Sequence, residues 1–111
     1  MERKLDLRQG RLFFDGGMGT MLQAAGLGAG EAPELWDMTR PEVVLGVHRG
    51  YLQAGAQILK SNTFGANRFK LAGTGYTVEQ VIGRGVALAR EAAQAEGHGW
   101  VALDVGPTGK L

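Results

Sequence analysis

The sequence predicts an α/β fold in which three parallel strands alternate with two helices. Apolar runs at residues 12–15, 56–61 and 100–105 have the length and composition of buried strands. The segments between these runs repeat apolar residues at helical spacing. Connections long enough to hold a helix make successive strands parallel and their crossovers right-handed. The expected order is therefore β-α-β-α-β.

The first strand leads into the most informative stretch of the chain, residues 12–20 (LFFDGGMGT). Strands of parallel sheets are apolar on both faces, as the residues before Asp15 are. The glycines that follow allow positive φ or close approach to a ligand, and a helical pattern restarts at Thr20. Position 22 is Leu, so the glycines do not form a dinucleotide fingerprint, and no Gly-Lys-Ser/Thr follows to make a P-loop.

Both main helices carry start signals. Residues 39–42 (TRPE) have the pattern of a capping box with a proline in the first turn, and Gly55 supplies a stop. Residues 77–80 (TVEQ) open a second helix that is expected to run to about Glu96. A short helical piece is expected at residues 67–71.

Several residues are assigned to packing rather than to chemistry. Gly83 and Gly85 inside the second helix cost roughly 1 kcal/mol each against alanine, so both are expected to pack closely against a neighbour. Trp36 and Trp100 are expected to be packing residues. Asp104 is expected to have a structural role, because it lies inside the third predicted strand.

Composition narrows the classes of function. The chain has 44% hydrophobic and 21% charged residues, ordinary values for a globular chain, and a net charge of +1 gives no reason to expect nucleic acid or a membrane as partner. No cysteine is present, so neither a disulfide nor a thiolate metal site can form. The N-terminus has charges but no apolar signal-peptide region, and a cytoplasmic location is expected.

Polar, glycine-containing loops follow all three predicted strands, and parallel strands place these loops on one edge of the sheet. Backbone N–H groups there can receive a carboxylate or phosphate, and a carboxylate at the same edge attracts an ammonium group. The loops therefore predict a site for a zwitterion such as an amino acid. The candidate substrate-binding residues are Asp15, Gly16, Gly17, Ser61, Asn62 and Thr63.

Local structure offers an alternative for each of these residues. Asp15 equally suits a cap of the following helix, and residues 61–63 equally suit an Asx- or Ser/Thr-turn. His48 and His98 are 50 residues apart and make a poor metal pair. No nucleophile–base pair can be assembled from the spacing, so no catalytic residue and no metal ligand is assigned.

Six segments in order resemble the homocysteine S-methyltransferase family, over residues from about Arg11 to Leu111. Within that family the chain is most similar to the N-terminal homocysteine-binding domains of cobalamin-dependent methionine synthases. The segments are 14–20 (FDGGMGT), 34–36 (ELW), 39–44 (TRPEVV), 54–56 (AGA), 61–67 (SNTFGAN) and 106–109 (GPTG).

The resemblance implies a (β/α)₈ TIM barrel, of which residues 1–111 would be an incomplete N-terminal part with the first three strands. It implies transfer of a methyl group to the thiol of homocysteine to make methionine, with zinc holding the sulfur as a thiolate. Asp15 would hold the ammonium group of homocysteine. The backbone around Gly16, Gly17 and residues 61–63 would receive its carboxylate.

Two departures qualify that implication. The family's zinc ligands are three cysteines, and this chain has none. Lys60 stands where a small polar or acidic residue is expected. We therefore expect the parent protein to be a zinc-dependent methyltransferase and these 111 residues to be inactive alone. The alternative is a catalytically silent module that binds a small zwitterion or serves assembly.

The methyl donor is not fixed by these residues. Methylcobalamin charged from methyltetrahydrofolate, S-methylmethionine and betaine are all used among relatives. The segment at 106–109 favours the methionine synthase branch, and hence methylcobalamin.

A three-stranded parallel unit has exposed sheet edges that a closed barrel would cover. We expect the chain to self-associate, or to be stable only with the remainder of the barrel as partner. Size-exclusion chromatography tests this expectation. A compact, soluble monomer with a sharp thermal transition would contradict it.

Overall fold

The computed structural model describes residues 17–104, apart from the side chain of Phe69. No helix in this range is both long enough and apolar enough to cross a membrane. The elements, in order, are α1 (Met18–Ala24), a 3₁₀ turn (Pro33–Leu35), α2 (Trp36–Thr39), α3 (Pro41–Gln53), β1 (Ile58–Lys60), α4 (Arg68–Leu71), α5 (Val78–Glu96) and β2 (Trp100–Ala102).

The two described strands are parallel neighbours, with Ile58 opposite Trp100 and Lys60 opposite Ala102. This confirms the predicted parallel pairing, with α5 as the crossover between β1 and β2. Each strand has three residues, so the predicted spans 56–61 and 100–105 were too long. The first predicted strand, residues 12–15, lies outside the described residues.

Helix α5 begins and ends as its sequence predicts. Gln80 N donates to Thr77 Oγ1 at 3.1 Å, and Thr77 N donates to Gln80 Oε1 at 2.9 Å. The side chain of each residue thus accepts a hydrogen bond from the backbone N–H of the other, which is the arrangement called a capping box. The helix ends at Gly97, which has φ +78°, a left-handed conformation that glycine adopts without a steric cost.

The capping box predicted at residues 39–42 was wrong. Thr39 is already the last residue of α2, and its hydroxyl donates to the carbonyl of Leu35 at 3.2 Å. Arg40 is the residue that precedes α3, and it makes no side-chain cap hydrogen bond. The proline signal was correct, because Pro41 opens the helix where its missing N–H has no intrahelical partner.

Helices α3 and α5 pack together, and both contribute buried side chains to the core. Trp36 is 4% exposed, which confirms its packing role, whereas Trp100 is 47% exposed, so the packing prediction was wrong for that residue. Two buried clusters make up this part of the core: Leu22, Leu27, Trp36, Val44 and Leu88, and beside it Leu52, Leu59, Ala89 and Ala92.

The two glycines inside α5 have different surroundings. A Cβ on Gly85 would lie 2.6 Å from Thr63 Cγ2 and 2.8 Å from Asp37 Oδ2, so only glycine allows α5 to approach this closely. The prediction of close packing is confirmed here. A Cβ on Gly83 would meet nothing within 4 Å, so the same prediction was wrong for Gly83.

We expect Gly85→Ala and Gly83→Ala to change stability in opposite directions. Gly85→Ala forces the neighbouring chain to move and should destabilise the fold by about 1–3 kcal/mol. Gly83→Ala removes a flexible residue from an exposed helix position and should stabilise it by roughly 0.5–1 kcal/mol. Urea unfolding of the two variants beside the parent chain measures both effects. Equal effects of the two substitutions would contradict this packing.

Candidate active site

A cavity of about 260 Å³ opens at the carboxyl end of β1. It is where the sequence places the candidate site, on the loops that follow the strands. Of the six candidate residues, Asp15 and Gly16 lie outside the described residues, and the other four line the cavity. Its lining residues are Gly17, Met18, Gly19, Pro33, Glu34, Lys60, Ser61, Asn62, Thr63, Phe64 and Asp104.

Two hydroxyl groups join the loop after β1 to the loop after β2. Thr63 Oγ1 donates to the carbonyl of Asp104 at 2.7 Å, so the 2.8 Å contact between the hydroxyls has Ser61 as donor. Asp104 N donates to Ser61 Oγ at 3.2 Å. Both side chains are therefore occupied in holding the cavity wall together. Ser61 N and Thr63 N also donate, to the carbonyls of Ala102 and Ser61 at 2.9 Å each, so among the backbone N–H groups of residues 61–63 that of Asn62 has no partner within the described residues.

Asn62 joins the same loop to the 33–39 segment, by which we mean the 3₁₀ turn and α2 together. Its side-chain amide donates to the carbonyl of Pro33 at 2.9 Å and to Asp37 Oδ1 at 3.0 Å. Asn62 is 5% exposed, so both bonds are shielded from water. The two acceptors fix the orientation of the amide and, through it, the course of residues 61–63.

Asp37 is fully buried, and its Oδ2 has no hydrogen-bond partner in the described part of the chain. Burial, and to a smaller extent the charge of Glu34, raise the pKa of this carboxyl to about 8. The hydrogen bond from Asn62 and the charge of Arg84 act in the opposite direction. At neutral pH the uncharged form therefore predominates.

Glu34 is the second buried acid of the 33–39 segment, and it lines the cavity. Its Oε1 finds no hydrogen-bond partner among residues 17–104. A Cβ on Gly65 would lie 2.6 Å from that oxygen, so the glycine is what lets the chain pass so close to the carboxylate.

Sequence reasoning missed the 33–39 segment as an element and both of its acids as site residues. The available signal was a proline followed by acids three positions apart, Glu34 and Asp37, a spacing that places two side chains on one face of a helix. The glutamate entered only as part of the family resemblance.

Charged side chains of both signs line the cavity. Glu34 and Asp104 bring carboxylates, and Lys60 brings an ammonium group. Asp104 lies two residues beyond β2 rather than inside a strand, which corrects its predicted place. Its backbone serves structure as predicted, through the bonds to Ser61 and Thr63. A cavity with both signs of charge suits a zwitterion.

The residues of this chain do not fit a zinc site of the expected kind. The chain has no cysteine, so three thiolate ligands cannot be supplied. Between residues 17 and 104, no group of three or more histidine, aspartate or glutamate side chains is placed to hold a metal ion.

Comparison with known proteins gives consistent matches. A family model described as homocysteine S-methyltransferase matches residues 12–111. Methionine synthase from Mycobacterium tuberculosis is 36% identical over a match that covers 87% of this chain and 9% of that protein. Homocysteine S-methyltransferase 3 from Zea mays is 31% identical, and the match covers 85% of this chain and 29% of that protein.

A solved structure gives the same result at the level of the fold. The metallated form of the homocysteine methyltransferase MmuM from Escherichia coli matches with a TM-score of 0.76 and 31% identity. The match covers 93% of this chain and 41% of that one. The chain thus spans less than half the length of each of these relatives.

Proposed function

The chain belongs to the homocysteine S-methyltransferase family, and we propose that its cavity is part of the homocysteine site of an enzyme that makes methionine. One observation carries the proposal: Gly17 and residues 61–63, whose backbone the family resemblance assigns to a carboxylate, line one cavity. Homocysteine is an amino acid with a charge of each sign, which matches the charged residues of the wall.

The proposed roles divide the ligand between its two charged ends. Asp15 holds the ammonium group through a charge-assisted hydrogen bond. Backbone N–H groups around Gly16, Gly17 and residues 61–63 receive the carboxylate. In the loop after β1 the donor is Asn62 N, because Ser61 N and Thr63 N already donate to carbonyls of the chain. Held at both ends, homocysteine presents its sulfur to the methyl donor in a fixed direction, and this positioning lowers the entropic part of the barrier.

The reaction itself needs groups beyond those of this chain. The sulfur loses its proton, its lone pair forms the new bond to the methyl carbon, and the bond between that carbon and the donor breaks. Zinc bound to the sulfur would supply the thiolate at neutral pH, but the cysteines for it are not among these residues. We therefore assign methyl transfer to a longer polypeptide, and to these 111 residues alone only the binding of substrate.

The architecture proposed for that polypeptide is a (β/α)₈ TIM barrel, with β1 and β2 as its second and third strands. The structural match to MmuM, which covers 93% of this chain with a TM-score of 0.76, supports a fold shared with that enzyme. Methylcobalamin is the proposed donor, because the segment at 106–109 resembles the methionine synthase branch of the family. A cytoplasmic location remains part of the proposal.

The absence of cysteine favours a second candidate, a catalytically silent module that binds a small zwitterion or serves assembly. Such a module would use the same two charged ends of its ligand and make no use of the sulfur. The two candidate functions can be distinguished with amino acids that have the same ammonium and carboxylate groups but different side chains.

We expect L-homocysteine to bind this chain in calorimetric titration, with the same affinity in the presence and absence of zinc. Asp15→Ala should weaken binding about tenfold or more, since it removes a charged partner of the ammonium group. Glu91→Ala, at an exposed carboxylate on α5 away from the cavity, is the matched control and should leave affinity unchanged.

Titration with L-alanine completes the test. Binding of alanine as tight as that of homocysteine would favour the silent module. No heat with either ligand, in a chain shown to be folded by circular dichroism, would contradict the proposed site.

A further inference from the structure

The loop that forms the cavity wall is held from behind by a residue that does not line the cavity. Asp37 accepts one of the two hydrogen bonds donated by the side chain of Asn62, and Pro33 accepts the other. Asn62 belongs to the cavity wall, whereas Asp37 lies beneath it. The carboxyl group is thus placed to act on a ligand only through the loop.

The space around that carboxyl group is filled. A Cβ on Gly85 of α5 would lie 2.8 Å from Asp37 Oδ2 and 3.1 Å from the carbonyl oxygen of Asn62. Helix α5 therefore closes the side of the carboxyl that Asn62 leaves open. A group packed in this way can gain no new donors unless the loop or the helix moves.

We propose that Asp37 is a positioning residue of the amino-acid site: its carboxyl group holds the side-chain amide of Asn62, and so keeps the backbone of residues 61–63 in the orientation that receives the ligand's carboxylate. The identity of the ligand rests on the proposed function above. The orientation of the loop does not, because it can be measured with no ligand present.

Charged groups near Asp37 determine how easily its carboxyl group loses a proton. Glu34 on the 3₁₀ turn opposes a negative charge, and Arg84 on α5 favours it. Helix α3, which packs against α2, carries the buried His48, whose pKa is lowered to about 4 by burial, so it stays neutral above pH 6. Lys60 lies at the end of β1 before the loop.

Ionisation would place a charge in a buried site where the amide of Asn62 is the only donor within the described residues. The bond from Asn62 favours the charged form, but one donor does not satisfy a buried carboxylate. The loop is therefore expected to shift so that further donors reach the carboxylate as the proton leaves. The pKa of this carboxyl is about 8, which places the change just above neutral pH. Loop orientation should therefore be native at pH 6.5 and altered at pH 9.5.

The test follows amide signals of residues 61–64 and the side-chain amide of Asn62 by NMR, from pH 6 to 10, in the ligand-free chain. In the parent chain these signals should move with a midpoint near pH 8. Asp37→Asn keeps an acceptor and the size of the side chain but cannot ionise, so that transition should be absent. Glu91→Gln, at an exposed carboxylate on α5, is the control and should retain it.

Affinity for L-homocysteine gives the second measurement. Asp37→Asn should bind within about twofold of the parent at pH 7 and several-fold more tightly than the parent at pH 9, where the carboxyl group of the parent is mostly ionised and its loop has shifted. Comparing the two chains at each pH cancels the titration of homocysteine itself. Asp37→Ala lacks the acceptor and should bind weakly at every pH.

Three outcomes would overturn the proposal. They are loop signals in the parent that do not change with pH, the same transition in Asp37→Asn, and loss of binding by Asp37→Asn at pH 7. If the transition behaves as expected but neither chain binds homocysteine, the proposed function is wrong and the positioning of the loop by Asp37 stands.

Discussion

The structure of the site depends on the contact between α5 and the loop after β1. At Gly85 the helix comes so close to Thr63, Asp37 and the Asn62 carbonyl that no side chain fits between them. This approach buries the polar residues of the loop and obliges them to find partners within the chain, because an unpaired buried polar group is costly. The hydrogen bonds of Ser61, Asn62 and Thr63 meet that requirement and also give the cavity its shape.

The sequence predicted most of the regular structure because the signals involved are local. The capping box at Thr77, the glycine stops and the parallel pairing of two apolar runs depend on neighbouring residues or on connection length alone. The prediction failed at the junction of α2 and α3, where Arg40 follows one helix and precedes the other. Thr39 has a side chain of the type that caps helices, but it is the last residue of α2. The sequence of residues 39–42 alone does not show that a helix already ends there.

The sequence predicted several residues that line the cavity, but not the buried acids around it. Strand-tip loops identified Gly17 and residues 61–63, which do line one cavity. The buried acids Glu34 and Asp37 were missed because their importance comes from tertiary burial, which the pattern of residues 33–39 does not express. The contribution that we propose for this chain is thus the positioning of an amino-acid ligand, and the thiolate ligands expected for zinc are not among its residues.

Mapping of amide chemical shifts on addition of L-homocysteine tests this view of the cavity most directly. Signals of Gly17, Gly19 and residues 61–64 should move together along one binding curve, while those of Gly83 and Ala87 on α5 should stay in place. Movement confined to α5, or uniform small changes across the chain, would show that the cavity at the strand tips is not the binding site.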